Sequence, residues 1–463
     1  MASIDSLGIQ GDIVTPSSPS YHESIKRRSD TSVLQPSYIV YPTVADDISL
    51  ALRFALSQTP PLEIAVKGGG CHASVASSSQ GGLVIDLSRL NAVKVSNDKK
   101  TVAVQGGAVW GDVYSELEKH ELVAVGGNVW FVGVGGLITG GGYSFLSGEY
   151  GLAVDNLLGA TVALADGRIV KCNEKEEPDL FWAIRGGGNQ FGIVTEFVLK
   201  TYPARGPALV GGLAYPGTEL GNVLKVVQDF LKKRTPNNKI NIAFGRPPPH
   251  FKPAVMVVPY FEGTESETSS IIAPFRTEIT PVSDRIGIAP TCNAVSHGAD
   301  AMLASVPPRA LLRGALFSDL WDEMAMQVFE EWVRYTDNEE TRATMIMWEL
   351  GYGGKIAKVG VEETAFPVRD PHYYLIVQAR HTSPESDAPA RAFATKIAGI
   401  VNDFNEQKTG KKLATPANFA IGPDVESVQE VYGVNLERLR KVKAKYDPKK
   451  VWSKGWVIEP ASE

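Results

Sequence analysis

The stretch "AVKGGGCHASVASSSQGGLVIDLSRL", Ala65 to Leu90, joins two short β-branched runs through a glycine-rich loop. Glycine lacks a Cβ atom, so backbone N–H groups in the loop Gly68-Gly69-Gly70 can approach an anion closely. We therefore expect this loop to bind a phosphate-bearing cofactor. The adjacent Cys71 and His72 are the two side chains of the loop that could react.

Further glycine clusters lie at Gly106-Gly107, Gly126-Gly127, Gly133 to Gly142 and Gly186-Gly187-Gly188. A single cluster is more often a tight turn than a ligand site. Several clusters in one segment favour a dinucleotide threaded between the turns. The chain has no GxxxxGK[ST] motif, and no GxGxxG at a strand-to-helix turn followed by the expected acidic residue, so the usual nucleotide motifs do not apply.

The chain has 463 residues, which predicts two domains, each with its own core. Hydrophobic residues make up 43% and charged residues 21%, as in ordinary globular proteins. The net charge of −6 and the scattered Lys and Arg residues argue against nucleic-acid binding. The sequence does not indicate an oligomeric state.

Nothing in the sequence points to export, membrane insertion or a metal. The amino terminus lacks a cationic start followed by an apolar run, and no apolar stretch approaches the ~20 residues of a membrane span. Cys71, Cys172 and Cys292 are too dispersed for a disulfide framework or a metal site. We expect a cytoplasmic protein without a metal.

The strand and helix patterns change near Arg205. Before it, short strands alternate with glycine turns and with the amphipathic helix "VADDISLALRFALSQ". After it, long strands such as "HYYLIVQARHT" are separated by helices such as "SDLWDEMAMQVFEEWVRYT", which is typical of an antiparallel sheet with helices on one face. We predict an α+β fold in which residues 1–204 and 414–463 form a cofactor domain and residues 205–413 form an inserted substrate domain.

Four segments together resemble the berberine bridge enzyme-like group of the vanillyl-alcohol oxidase superfamily: "IAVKGGG", "VGVGGLITGGGYSFLSGEYGLAVDNLLGATVALADGRIV", "DLFWAIRGGGNQFGIVTEFVLKTYP" and "YGVNLERLRKVKAKYDP". The resemblance covers both parts of the first domain and, more loosely, the inserted domain. It implies a PCMH-type FAD-binding domain of two α/β subdomains. FAD would lie extended along this domain, with its isoalloxazine facing the inserted sheet.

The resemblance also implies the residues that contact FAD. Two loops would meet the pyrophosphate, and one strand would hold the adenine side. In the tail the chain departs from the family, since "GWV" at Gly455 to Val457 replaces an amide-rich "NQN", and we expect Trp456 to cover the flavin edge instead. The implied cofactor residues are Lys67, Gly68, Gly69, Gly70, Cys71, His72, Gly127, Val134, Gly135, Gly136, Thr139, Gly140, Gly141, Gly142, Tyr143, Asp155, Gly192, Ile193, Val194 and Trp456.

The chain departs from the family at the covalent attachment site. A family histidine bonds to the 8α-carbon of the flavin, and a gapless alignment places Cys71 there with His72 one residue later. We favour non-covalent FAD, while a link through His72 or Cys71 remains an alternative. Val129 stands where bicovalent members carry a second attachment cysteine. The following Trp130 and Phe131 would either reshape the pocket wall or pack against the inserted domain.

The strand "DPHYYLIVQARH" departs as well, because the usual position of a catalytic base is Ile376. Strand alternation puts Tyr374, Ile376 and Gln378 on one face. Tyr374 and Gln378 are therefore the candidate catalytic residues, or else ordinary polar residues of a strand. Further candidates that could point at the flavin ring are Glu349, Tyr352, His250, Arg380 and His381.

The functional hypothesis is an FAD-dependent oxidase that acts on a hydrophobic small molecule in secondary metabolism. It would transfer a hydride to flavin N5, and O2 would reoxidise the flavin. One alternative is a redox-neutral cyclase or isomerase in which FAD is structural. The other is a non-catalytic binding protein with a flavin fold.

Overall fold

A computed structural model describes residues 4–304 and 306–462 of the chain. Within them the backbone forms strands β1 to β20: Asp12–Val14, Tyr38–Tyr41, Ile64–Lys67, Leu83–Asp86, Val93–Val95, Thr101–Gln105, Leu122–Val123, Leu157–Ala163, Ile169–Cys172, Ile193–Lys200, Tyr202–Pro203, Ala208–Val210, Leu213–Pro216, Asn238–Gly245, Ala254–Glu262, Ser283–Asp284, Gly287–Ala289, Arg309–Phe317, Met345–Leu350 and Tyr373–His381.

The helices α1 to α15 alternate with these strands. They are Tyr21–Ser24, Ala45–Ser57, Trp110–Glu118, Val134–Thr139, Ser147–Tyr150, Pro178–Ile184, Leu220–Lys233, Glu265–Ile272, Pro274–Thr277, Cys292–Ser296, Asp300–Leu303, Asp322–Tyr335, Asp387–Thr409, Val428–Tyr432 and Leu436–Tyr446.

The amino-terminal part of the chain forms two sheets. The first has the order β1-β2-β4-β3, in which β2, β4 and β3 run parallel. The second has the order β5-β6-β10-β8-β9 and is antiparallel. The amphipathic helix predicted before the first glycine loop is α2, and the turn at Asp166-Gly167 joins β8 to β9.

A nine-stranded sheet lies within the segment that we predict to be the substrate domain. Its main path has the order β16-β13-β15-β14-β19-β20-β18, and β12 and β17 pair beside it. Every pairing in this sheet is antiparallel, as the strand pattern predicts. The α+β class and the antiparallel inserted sheet are thereby confirmed.

The two faces of the nine-stranded sheet differ in what covers them. One face packs on α7, α12 and α13 through an apolar core that includes Leu375, Val377 and Trp348. The residues between them, such as Tyr374 and Ile376, point away from these helices toward the core of the amino-terminal part. We call this second side the open face. It is the side on which the sheet meets the glycine loops.

The carboxyl-terminal segment returns to the amino-terminal part. Helix α15 ends at Tyr446, directly before Asp447-Pro448, where proline cannot continue a helix. The buried ammonium of Lys443 pairs with Asp447 at 2.7 Å and also donates to the Gln190 carbonyl at 2.8 Å. Within the described ranges, no helix combines the length and the apolar character needed to cross a bilayer.

Candidate functional site

Three of the five predicted glycine clusters, those at Gly68, Gly106 and Gly133, come together at one place. The loop Gly68-Gly69-Gly70 packs against Gly133 so closely that a Cβ atom at Gly133 would lie 2.4 Å from the Gly69 nitrogen. A Cβ atom at Gly68 or at Gly135 would approach the same Gly106 carbonyl, at 3.3 and 3.2 Å. Glycine is needed here because three backbone segments share a space without room for side chains.

The amides of residues 69–72 remain available as donors. None of them finds a hydrogen-bond acceptor among residues 4–304 and 306–462. The ammonium of Lys67 pairs with the fully buried Asp86 at 2.8 Å, so this cation already has an acidic partner. A loop of unpaired amides that carries little side-chain bulk fits the diphosphate implied by the resemblance.

The glycines of residues 140–142 have a different structural reason. A Cβ atom at Gly140 would lie 2.2 Å from Asn418, and one at Gly141 would lie 2.5 Å from Phe366. Gly141 and Gly142 also have φ values of +120° and +80°, which side chains rarely tolerate. Close packing on protein side chains therefore already accounts for these three glycines.

Asp155 is held in a buried ion pair. Its two carboxylate oxygens accept hydrogen bonds of 2.9 and 3.0 Å from the Arg369 guanidinium, and both side chains are almost inaccessible. The Leu152 amide donates to the same carboxylate at 2.9 Å. The sequence placed Asp155 near FAD, whereas the structure gives its carboxylate a protein partner. A contact between Asp155 and the cofactor stays a prediction.

The remaining implied residues of the cofactor domain lie in packed backbone. Ile193 and Val194 open β10 with buried side chains, and Gly192 has φ +144° against Val162. The Gly127 carbonyl accepts the hydroxyl of Tyr114 at 2.9 Å. Thr139 donates to the carbonyl of Gly135 and closes α4. Contacts of these residues with the cofactor also stay predictions.

Cys71 is held as a thiol. Its Sγ donates to the Phe131 carbonyl at 3.1 Å, and burial raises the pKa of the Cys71 thiol. The thiolate is the nucleophilic form of cysteine, so a raised pKa works against covalent chemistry at this position.

His72 is neutral and faces Trp456. Its Nδ1 accepts the N–H of Ser74 at 3.1 Å, which places the ring proton on Nε2. Burial lowers the pKa of His72, and the nearby Ala417 backbone only partly opposes this. The His72 and Trp456 rings meet edge to face at 6.4 Å. In this tautomer the lone pair available for attack is that of Nδ1, and it already accepts the Ser74 N–H.

The open face carries the predicted catalytic residues on one side of β20. Ile376 pairs with Met347 on β19 and with Gly314 on β18, and Gln378 pairs with Met345 and Leu312. Ile376, Met347, Met345 and Leu312 are half-buried rather than sealed in a core. The open face is therefore an apolar floor with the amide of Gln378 at one end.

Tyr374 lies at the other end of this floor. It is 9% exposed and packs between Tyr143, at 4.6 Å, and Phe419, at 4.9 Å. Burial, followed by the charge of Glu349, raises the pKa of Tyr374 well above its usual range. Its phenol stays protonated and can donate a hydrogen bond, but it is a poor proton acceptor.

A second polar pair connects the glycine loop to β20. The Tyr143 hydroxyl donates to His372 Nε2 at 2.5 Å, and His372 Nδ1 donates to the Asp370 carbonyl at 2.6 Å. Burial lowers the pKa of His372 to about 4, so its imidazole is neutral. The sequence placed Tyr143 among the cofactor residues, while His372 was missed because it has no motif of its own.

The other polar candidates separate by face and exposure. Glu349 is on the open face, where it pairs with Lys239 at 2.9 Å. His381 is fully buried, with its Nε2 atom 2.6 Å from the Asp387 carboxylate. Tyr352 is 37% exposed and His250 is exposed. Arg380 lies on the open face, and Arg28, which stacks on Phe131 at 4.4 Å, was missed because it precedes every motif.

The two aromatic residues Trp130 and Phe131, just before the Gly133 to Gly142 cluster, have different roles. Trp130 packs against the inserted part of the chain, where its indole N–H donates to Asp300 at 2.7 Å and its ring stacks on His297. The Phe131 ring instead makes a cation–π contact with the Arg28 guanidinium. The predicted packing contact is therefore observed for Trp130, while a pocket-wall role for Phe131 stays a prediction.

Comparisons with known proteins agree with this geometry. A family model described as "FAD binding domain" matches residues 36–173, and one described as "Berberine and berberine like" matches residues 403–454. The chain is 30% identical to the FAD-linked oxidoreductase pgmH of Aspergillus terreus, over 98% of this chain and 94% of that protein.

Solved structures show the same fold. The 6-hydroxy-D-nicotine oxidase of Arthrobacter nicotinovorans superposes with a TM-score of 0.82 at 25% identity, over 98% of this chain and 99% of that chain. Glucooligosaccharide oxidase of Acremonium strictum, described with a 6-S-cysteinyl, 8α-N1-histidyl FAD, has a TM-score of 0.80 at 22% identity, and each chain is covered completely. The converging glycine loops, the matched domains and the full-length similarity agree: this chain belongs to the berberine bridge enzyme-like family of FAD-linked oxidoreductases.

Proposed function

We propose that the chain is an FAD-dependent oxidase of a hydrophobic small molecule of secondary metabolism. Residues 1–204 and 414–463 would hold FAD, and residues 205–413 would supply the substrate floor. FAD, when bound, accepts a hydride at N5 and is reoxidised by O2. The observation that carries the proposal is the half-buried apolar floor of the open face, formed by Met345, Met347 and Ile376 beside the glycine loops.

The floor favours an apolar scaffold over a sugar. A sugar needs many hydrogen-bond partners, because each of its hydroxyls loses water on binding. On the open face of β20, Ile376 is the residue between Tyr374 and Gln378. Its neighbours on the adjacent strands are Met347 and Gly314. These side chains can bury a hydrocarbon surface, and they exclude water from the face on which the substrate would lie.

The floor also limits how a proton can leave the substrate. Ile376 cannot accept a proton, and the raised pKa of Tyr374 makes its phenol a donor. We therefore assign Tyr374 to orienting the substrate through a donated hydrogen bond. The proton would pass from a substrate hydroxyl to water at the edge of the cleft.

Non-covalent FAD is part of this proposal. Cys71 is a buried thiol with a raised pKa, and the Nδ1 lone pair of His72 is occupied by the Ser74 N–H. The test is the visible spectrum of the purified protein before and after acid precipitation. Yellow colour that moves to the supernatant supports dissociable FAD, whereas colour that stays in the pellet shows a covalent bond.

The oxidase reaction can be tested by anaerobic mixing with hydrophobic hydroxyl-bearing compounds. A substrate should bleach the flavin, and admitting air should restore the colour with consumption of O2. Turnover without bleaching would instead support the redox-neutral cyclase or isomerase. Met347→Lys places a charge on the floor and should abolish bleaching. The matched control is Met326→Lys, because Met326 is 42% exposed on α12, beyond the far face of the sheet.

A further inference from the structure

Arg380 is a buried arginine on the open face of the sheet. It follows Tyr374, Ile376 and Gln378 at every second position of β20, so it faces the same side. It is only 7% exposed. Its Nη2 donates to Gln378 Oε1 at 2.8 Å, and its Nε has no acceptor among the described residues.

Among residues 4–304 and 306–462, no carboxylate pairs with Arg380. Burial, followed by the positive charge of Arg28, lowers the pKa of Arg380 to about 10. The other buried arginines are paired: Arg369 with Asp155 and Arg313 with Glu426, both at 2.9 Å. A buried cation without a counter-charge is costly, so its natural complement is an anion that arrives from outside the chain.

The groups around Arg380 are hydrogen-bond donors. Arg28 is tied to the glycine loop by its backbone N–H, which donates to the Gly70 carbonyl at 3.0 Å, and its guanidinium is exposed over Phe131. The Gln378 carbonyl oxygen is used by Arg380, which leaves the Gln378 amide nitrogen to donate. A cluster made of donors binds a group made of acceptors.

The donor cluster borders the apolar floor. Met345 and Leu312 lie on either side of Gln378, and Ile376 follows along the same strand face. A ligand that reaches Arg380 therefore places the rest of its surface on hydrophobic side chains. Solvent screens the charge of the exposed Arg28, so Arg380 carries the one buried positive charge of this cluster. A ligand with a single negative charge is enough to balance it.

We propose that Arg380, with Arg28 and Gln378, binds the carboxylate of a hydrophobic substrate. The guanidinium fork matches a carboxylate in shape and can donate two parallel hydrogen bonds to it. This inference rests on the proposed function, because it names the substrate class of the same floor. The substrate is an apolar carboxylic acid held with its acid group at the Arg380 end of β20.

The test compares 2-naphthoate with its neutral isostere 2-naphthamide on the flavin-loaded protein. Binding is measured by calorimetry and by the change in the visible flavin spectrum. The acid should bind at least about tenfold more tightly than the amide, as expected for hydrogen bonds to a charged group. Equal affinity for the two compounds would overturn the proposal.

Variants assign this preference to the arginine. Arg380→Met should weaken naphthoate binding at least about tenfold and leave naphthamide binding unchanged. The matched control Arg391→Met removes an exposed arginine that pairs with Asp424 at the surface, and it should change neither affinity. Unchanged naphthoate binding by Arg380→Met would overturn the assignment. If that variant does not fold, Arg28→Met replaces an exposed side chain and should still weaken only naphthoate.

Two further outcomes would assign Arg380 to a ligand other than a carboxylate substrate. Inorganic phosphate at the same concentration should not displace naphthoate, and displacement by phosphate would make the cluster a general anion site and overturn the proposal. Arg380→Met could instead be purified with less FAD per protein, while those molecules that still hold FAD bind naphthoate normally. The arginine would then serve the cofactor and not the substrate. Failure of the proposed function is separate, because a protein without flavin is colourless before any probe is added.

Discussion

The glycine loops and the open face meet at one site but are built in opposite ways. Around Gly69 and Gly133 the loops present main-chain amides and no side chains. The open face presents side chains, because the backbone of β20 pairs with β19 on one side and with β18 on the other. The predicted cofactor site at the glycine loops therefore depends on the absence of Cβ atoms. The substrate side depends on which residues occupy alternate strand positions.

The largest effect should come from adding a single Cβ atom to the loops. In Gly69→Ala the new atom would lie 2.6 Å from the backbone of Gly133, so the two loops must separate. We expect purified Gly69→Ala protein to carry almost no FAD, measured as the ratio of flavin to protein absorbance. Gly206→Ala is the matched control, since nothing lies within 4 Å of its Cβ position. A normal flavin ratio in Gly69→Ala would contradict the amide-built site.

The second effect concerns the buried pair that ties the two regions together. Arg369 lies just before β20, and its partner Asp155 lies after the glycine loops. Arg369→Ala leaves a buried carboxylate without its counter-charge and should lower the free energy of unfolding by about 3–5 kcal/mol. Urea denaturation measures this loss. Arg391→Ala breaks an exposed pair and should cost at most about 1 kcal/mol. Equal losses in the two variants would show that the buried pair does not join the regions.

The third effect is a pH dependence from the other connection, Tyr143 to His372. The folded imidazole has a pKa of about 4, whereas an unfolded histidine has one of about 6.5. Below pH 6.5 the unfolded chain therefore binds a proton that the folded chain does not, and stability falls as the pH falls toward 4. Relative to His372→Gln, the wild-type protein should lose roughly 2 kcal/mol of unfolding free energy between pH 7.5 and pH 5. A constant difference between the two proteins across this range would show that His372 titrates normally.

The smallest effect should come from a substitution in helix α13, on the covered side of the sheet. It tests whether the cofactor site is independent of that helix layer. Gly399 is inside α13 with open space at its Cβ position. Gly399→Ala should raise the free energy of unfolding by about 0.5–1 kcal/mol, because alanine loses less backbone entropy in a helix. Thermal unfolding measures the gain. The flavin ratio should stay unchanged, and a change in it would mean that the helix layer also governs the cofactor site.

Much of the fold could be predicted from local sequence patterns. The turn Asp166-Gly167, helix α2 and the end of α15 at Tyr446 follow from residues adjacent in the chain. The alternation of Tyr374, Ile376 and Gln378 on one face follows from the period of a strand. These features need only short-range information, so the sequence predicts them directly.

The pairings across the molecule could not be predicted in this way. Arg28 reaches Phe131, Arg369 reaches Asp155, and His372 reaches Tyr143 only after distant segments have packed together. None of these side chains has a spacing that indicates its partner. Which strand residues are buried and which line a cleft also depends on what covers each face of the sheet.

The sequence by itself determined where the chain carries no Cβ atoms, which strand residues share a face, and which family the motifs resemble. Tertiary structure alone decided that Cys71 is a protonated thiol, that Asp155 is paired, and that Arg380 is buried without an acid. The physical reason is that backbone conformation is set by neighbouring residues. Charge, protonation and burial are set by atoms that become neighbours only when the chain folds.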